Sequence, residues 1–108
     1  MNNPFAELHV ADGDPVESGT IPAAVTAGGF LYPDGSTQTF DQDGSTTYVE
    51  NGRPTVGEWY VDEGRFCSYW PPSYRACYDL FWIVENDAVV GLRFAEVNDG
   101  SHFDGRYR

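Results

Sequence analysis

The sequence predicts a small all-β protein: an antiparallel meander of about eight strands, closed or rolled into a barrel. Three observations lead there. Strand formers (Val, Thr, Tyr, Phe, Trp) dominate from Phe30 onward, and helix formers are scarce. Turn signals recur at an even spacing of the kind that separates short strands. The only two cysteines, Cys67 and Cys77, fall opposite one another when a hairpin is folded at Pro71-Pro72-Ser73.

The elements follow in order. Residues 1–20 read as an irregular acidic leader, broken by Pro4, Gly13 and Pro15 and carrying Asp12, Asp14 and Glu17. The single domain spans 21–108. Its first part, around Pro22-Ala23-Ala24-Val25, is the one helix-like spot. Strands are then expected at Gly29–Tyr32, Ser36–Phe40, Ser45–Glu50, Thr55–Val61, Arg65–Trp70, Tyr74–Val84, Ala88–Val97 and Ser101–Tyr107. Between them lie Asp-Gly and Asn-Gly steps, residues that tolerate the positive φ of tight hairpins. The same chemistry accounts for the three Asp-Gly-Ser sequences at Asp34, Asp43 and Asp99. The Asp41-x-Asp43-Gly44 spacing lacks the later ligands of a calcium loop. A meander of this size usually closes, because closure removes exposed edges.

Hairpin counting fixes the side chains. Trp70 faces Tyr74, Ser68 faces Ala76, Cys67 faces Cys77, Phe66 faces Tyr78 and Arg65 faces Asp79. A three-residue loop at Glu85-Asn86-Asp87 then sets Trp82 opposite Val90, Leu80 opposite Leu92 and Asp79 opposite Arg93. One face collects Phe66, Trp70, Tyr74, Tyr78, Leu80, Trp82, Val90, Leu92 and Phe94. The other collects Cys67, Cys77 and an Arg65–Asp79–Arg93 ladder. Strict alternation makes the first face the interior. Phe81 and Ile83 fall on the polar face, so either that strand is covered on both sides or a partner chain, a second copy included, packs there. An even turn at Asp62-Glu63-Gly64 brings Trp59 inward, Val61 against Phe66, and leaves Glu58 in solvent; an odd turn does the reverse.

Composition excludes several functions. The formal net charge is −11 across 108 residues, and all the basic residues are arginines. Phosphate binding needs clustered positive charge, so no nucleic-acid partner is expected, nor an anionic membrane surface. No apolar run is long enough to span a bilayer. Two cysteines with only His9 and His102 as further soft ligands do not make a metal site, and no cofactor motif is present. The expected role of the cysteines is a structural disulfide. Met1 to Ala11 has no signal-like apolar core. That fits a cytosolic protein or an exported one whose signal has been removed, and the disulfide favours the periplasm or the exterior.

Aromatic residues make up 16% of the chain, enough to fill a small barrel or to line a cavity in it. The candidate ligand-binding residues are Trp59, Phe66, Trp70, Tyr74, Tyr78 and Trp82. Chemistry is weakly represented. Glu58, if buried, would have a raised pKa and act as acid or base. His102, near Asp99 and Asp104, is the other candidate base. No serine sits in nucleophile spacing. Three readings follow: a non-enzymatic barrel binding a small apolar or aromatic ligand or a partner protein; an isomerase or cyclase using Glu58 or His102; and an interaction protein working through Phe81 and Ile83.

The stretch Asp43 to Cys77 resembles small exported bacterial β domains of uncharacterised function. They share Asp-Gly, a Gly-x-Trp strand and two cysteines flanking a hairpin, here Asp43-Gly44, Gly57-Glu58-Trp59, Cys67 and Cys77. Gly-x-Trp also occurs in lipocalin and avidin barrels, on the first strand, whereas here it lies mid-chain. The resemblance implies a periplasmic, calycin-like barrel and no particular activity.

Overall fold

The structure, a computed structural model, describes residues 8–108. After a short 3-10 turn at Ser18–Thr20, helix α1 runs from Ile21 to Thr26. Eight strands follow: β1 (Phe30–Leu31), β2 (Thr37–Phe40), β3 (Ser45–Glu50), β4 (Arg53–Asp62), β5 (Arg65–Trp70), β6 (Tyr74–Glu85), β7 (Ala88–Glu96) and β8 (His102–Tyr107). Each pairs antiparallel with its neighbour in sequence, and β1 pairs with β8, so the sheet is a closed barrel. The helix falls on the spot the sequence singled out.

The β5–β6 register is the expected one, with Phe66 opposite Tyr78, Cys67 opposite Cys77 and Trp70 opposite Tyr74. Cys67 and Cys77 are joined by a disulfide on the outer face. The β4–β5 turn is a two-residue one, with Glu63 and Gly64 both at positive φ (50° and 80°). That even count sets Trp59 opposite Ser68 and Val61 opposite Phe66, so Trp59 faces inward.

The β6–β7 hairpin corrects the counting. Its loop is Asn86-Asp87, both at positive φ (51° and 63°), a turn whose twist matches that of the strands. The register then shifts between Ile83 and Val84. Trp82 faces Leu92, Leu80 faces Phe94, and Asp79 faces Ala95. The displacement from expectation is an even number of residues, so the face assignment survives it. The bulge moves Val90 off the interior row, and Val89 is buried in its place. The Arg65–Asp79–Arg93 ladder does not form as a unit. Arg65 bonds Asp79 at 3.0 Å, whereas Arg93 forms a two-pronged pair with Asp104 of β8 at 2.7 and 2.9 Å.

The chain's own leader pairs with the edge of β6 beside Phe81 and Ile83. Residues 12–16 lie along the edge of β6 where β5 has ended. Val16 N–H donates to the Leu80 carbonyl, Trp82 N–H to that of Asp14, and Gly13 N–H to that of Trp82, at 2.8–2.9 Å. Pro15 stands opposite Phe81, and Asp12 Oδ1 accepts the Val84 N–H at 2.9 Å. Ile83 is buried and Phe81 half-buried. The leader thus closes the edge of β6 beside these two residues.

The meander gives the barrel two unlike ends. At one end lie α1 and the β2–β3, β4–β5 and β6–β7 turns. Ile21, Ala24 and Val25 of α1 are buried there in one cluster with Val16, Trp82, Val89 and Leu92, and the Tyr107 hydroxyl donates to the Ala24 carbonyl at 2.6 Å. This end is plugged. At the other end lie the β1–β2, β3–β4, β5–β6 and β7–β8 connections, and no helix covers it among the described residues.

Candidate ligand-binding site

A cavity of about 550 Å³ opens at the unplugged end. Its floor is a layer of phenylalanines. Phe40, Phe66 and Phe94 have ring centroids 5.5–6.1 Å apart, and Phe30 packs at 5.7 Å from two of them. Each of these phenylalanines except Phe30 lines the cavity. They come from four different strands, so only closure of the sheet brings them together. Alternation explains the choice: Phe66, Ser68 and Trp70 share one face of β5, and Gln38 and Phe40 on β2 pair across to Tyr48 and Thr46 on β3.

The wall above the floor is aromatic, with Tyr32, Tyr48, Trp70 and Tyr78, and its rim carries Tyr74 and Phe103. Tyr74 and Phe103 are 59% and 49% exposed. Trp70 owes its position to Gly57. A Cβ on residue 57 would lie 2.6 Å from Trp70 Cε3, so the glycine of Gly-x-Trp is the seat on which the indole rests.

One sector of the wall is polar and internally satisfied. The Tyr32 hydroxyl donates to Gln38 Oε1 at 2.7 Å, Gln38 Nε2 donates to Thr46 Oγ1 at 2.9 Å, and that hydroxyl donates to the Thr39 carbonyl at 2.8 Å. Burial pushes the Tyr32 phenol well above its ordinary range. Burial, with Tyr74 nearby, also raises Tyr78 to about 12 against the pull of a Ser68 hydrogen bond. Both are neutral hydroxyls at any physiological pH. Asp34 stands at the mouth. Its Oδ1 accepts both the Ser36 hydroxyl at 2.6 Å and the Ser36 N–H at 2.9 Å, which hold its carboxyl below the usual range.

The structure sorts the sequence candidates. Phe66, Trp70, Tyr74 and Tyr78 line the cavity. Trp59 and Trp82 point inward but lie outside its wall. Trp59 stacks on Phe66 at 6.2 Å and gives its indole N–H to the Asp41 carbonyl at 2.8 Å, towards the plugged end. Trp82 is 3% exposed within the α1 cluster. Glu58 sits on the outer face between Ser45 and Tyr69 and is exposed. The reading of Glu58 as a buried acid or base is thereby overturned, because the even β4–β5 turn sends Trp59 in and Glu58 out. His102 is exposed at the rim, opposite Ala95 on β7.

Sequence reasoning missed Tyr32, Gln38, Phe40, Tyr48 and Phe103. The signal for Gln38, Phe40 and Tyr48 was alternation within β2 and β3. Tyr32 and Phe103 lie at strand ends, where alternation does not say which side chains reach the opening.

Among the described residues, no group of three or more His, Cys, Asp or Glu side chains is placed to hold a metal, and no helix is long and apolar enough to cross a membrane. Comparison with family models, with curated proteins and with solved structures finds no match to this chain.

Proposed function

We propose that this protein is a non-enzymatic, calycin-like barrel that binds a small apolar or aromatic molecule in its open end. The observation that carries the reading is the cavity itself. Its volume, about 550 Å³, falls within the range of ligand pockets, and apolar walls with a few placed polar groups are the usual make-up of such sites. An eight-stranded barrel has room for side chains or for one small ligand. Here the floor of phenylalanines and α1 fill one half, and the other half is left open. We further propose that the protein works in the periplasm or outside the cell. That reading rests on the Cys67–Cys77 disulfide, which persists in oxidising compartments, and on the likeness of Asp43–Cys77 to small exported β domains.

A neutral solvatochromic dye such as Nile red tests the ligand reading. Uptake with a blue-shifted emission is expected for the native protein. It should be lost in Ser68→Phe, which fills the cavity, at unchanged far-ultraviolet circular dichroism. Failure of the native protein to take up the dye or any apolar competitor, or undiminished uptake by a folded Ser68→Phe, would sink it. Thiol titration of the denatured, unreduced protein tests the compartment: two reactive thiols would remove the case for export.

A further inference from the structure

The charge of the ligand is written in what the cavity wall contains. We propose that the site selects a small organic cation with an apolar or aromatic body, a quaternary ammonium or a protonated aromatic amine. Neutral and anionic molecules of the same shape bind it less well. This rests on the reading of the cavity as a ligand site and adds the class of ligand to it.

The first ground is where the basic groups go. Arg65, Arg93 and Arg106 are held on the outer face by Asp79, Asp104 and Glu85. Arg75 lies outside as well, 4.5 Å above the Tyr69 ring, with its guanidinium donating to the Tyr60 hydroxyl at 2.7 Å. Among the described residues, no arginine lines the cavity. An anionic ligand would give up its hydration with no arginine to replace it and only His102 at the rim, a large cost in an apolar pocket.

The second ground is the ring geometry. Trp70 and Tyr78 in the wall and Tyr74 and Phe103 at the rim line the same cavity, with the Tyr78 and Phe103 centroids 6.4 Å apart. The face of an aromatic ring carries negative charge density and attracts a cation within about 6 Å of its centroid, and rings grouped around one point are how quaternary ammonium groups are recognised. A neutral ligand gains only the burial of apolar area from the same rings.

The third ground is the field. Asp34 places a carboxylate at the mouth, and its two bonds from Ser36 hold it there. The molecule behind it has a formal net charge of −11. A cleft lined by one sign of charge concentrates ligands of the other.

The test is displacement of bound Nile red from the intact protein by three molecules of one shape: phenyltrimethylammonium, its neutral carbon isostere tert-butylbenzene, and anionic benzenesulfonate. The cation is expected to bind about tenfold tighter than the neutral isostere, and the anion more weakly than both. Asp34→Asn should cost the cation about threefold more than it costs the neutral molecule, and an equal effect on both would overturn the inference. A neutral or anionic competitor that binds as tightly as the cation overturns this inference and leaves the ligand-binding reading standing. If neither the dye nor any of the three molecules binds, both fail.

Discussion

Gly57 is the residue on which the site depends most. It faces the interior of β4 opposite Thr46, and an added methyl would press on both the Trp70 ring, at 2.6 Å, and the Tyr69 carbonyl, at 2.7 Å. The carbonyl is backbone and cannot swing away. Gly57→Ala should therefore cost about 1–3 kcal/mol, the usual range for overpacking a filled site. It should also push Trp70 into the cavity. Urea denaturation reads the first effect and dye affinity the second. An alanine variant of native stability and native affinity would show that Trp70 does not rest on this position. Gly105 has a similar place on β8, where an added methyl would meet Phe30 and Tyr32 within about 3 Å. The sequence displayed both glycines plainly. What it did not display was the identity of the side chain that each one admits, because that partner comes from a neighbouring strand.

At the scale of elements, the leader is the part whose role differs most from its appearance. Its prolines and aspartates suggested an irregular tail, and residues 1–7 of it lie outside the described residues. Residues 12–16 nevertheless act as a substitute strand. They satisfy the backbone groups of Leu80 and Trp82, and Asp12 stands in for a carbonyl in receiving the Val84 N–H. Val16 reaches the core, where it is 8% exposed. Removing residues 1–16 would bare the edge of β6 along Leu80–Val84. Loss of Val16 burial alone should cost about 1.5–3 kcal/mol, and the open edge should pair with other chains. Size exclusion with light scattering, alongside urea denaturation, checks both. A truncated chain that remained monomeric at native stability would show that β6 needs no cover.

At the scale of the whole molecule, closing the sheet buries tyrosines as well as phenylalanines, and this sets the alkaline limit of stability. Burial raises Tyr32 and Tyr107, and with Tyr74 it brings Tyr78 to about 12. An unfolded tyrosine ionises near pH 10, so the folded form holds more protons than the unfolded one above that point. The stability these groups contribute is whole below about pH 10 and falls as the pH rises through the folded values. Chemical denaturation from pH 8 to 12 should show that loss. Phenolate absorbance should show these three tyrosines ionising late or only on unfolding. Normal ionisation of all seven tyrosines in folded protein would contradict their burial. The acidic surface also belongs to this scale. Three arginines are spent in exposed ion pairs, each of small energetic weight, and most of the remaining carboxylates face solvent. The negative field around the open end is a property of the whole chain.

The sequence by itself determined the strands, their order and, along β5, β6 and most of β7, which side faces inward. Those features are local: turn signals such as Asp43-Gly44 and Asn51-Gly52 mark the hairpins, and alternation sorts Phe66, Ser68 and Trp70 from Cys67 and Tyr69. Beyond the bulge, the register slip on β7 moved the strand by an even count, so Leu92 and Phe94 stayed inward, while Val90 gave its place to Val89. Only the tertiary structure decided the rest. It placed Trp59 and Trp82 towards the plugged end and Trp70 and Tyr78 at the open one. It paired the leader with the edge of β6 beside Phe81 and Ile83, and it gathered Phe40, Phe66 and Phe94 into a floor. Height along the barrel axis depends on the tilt and stagger of all eight strands together. No single hairpin encodes that, so a sequence read one hairpin at a time finds the interior but not the cavity within it.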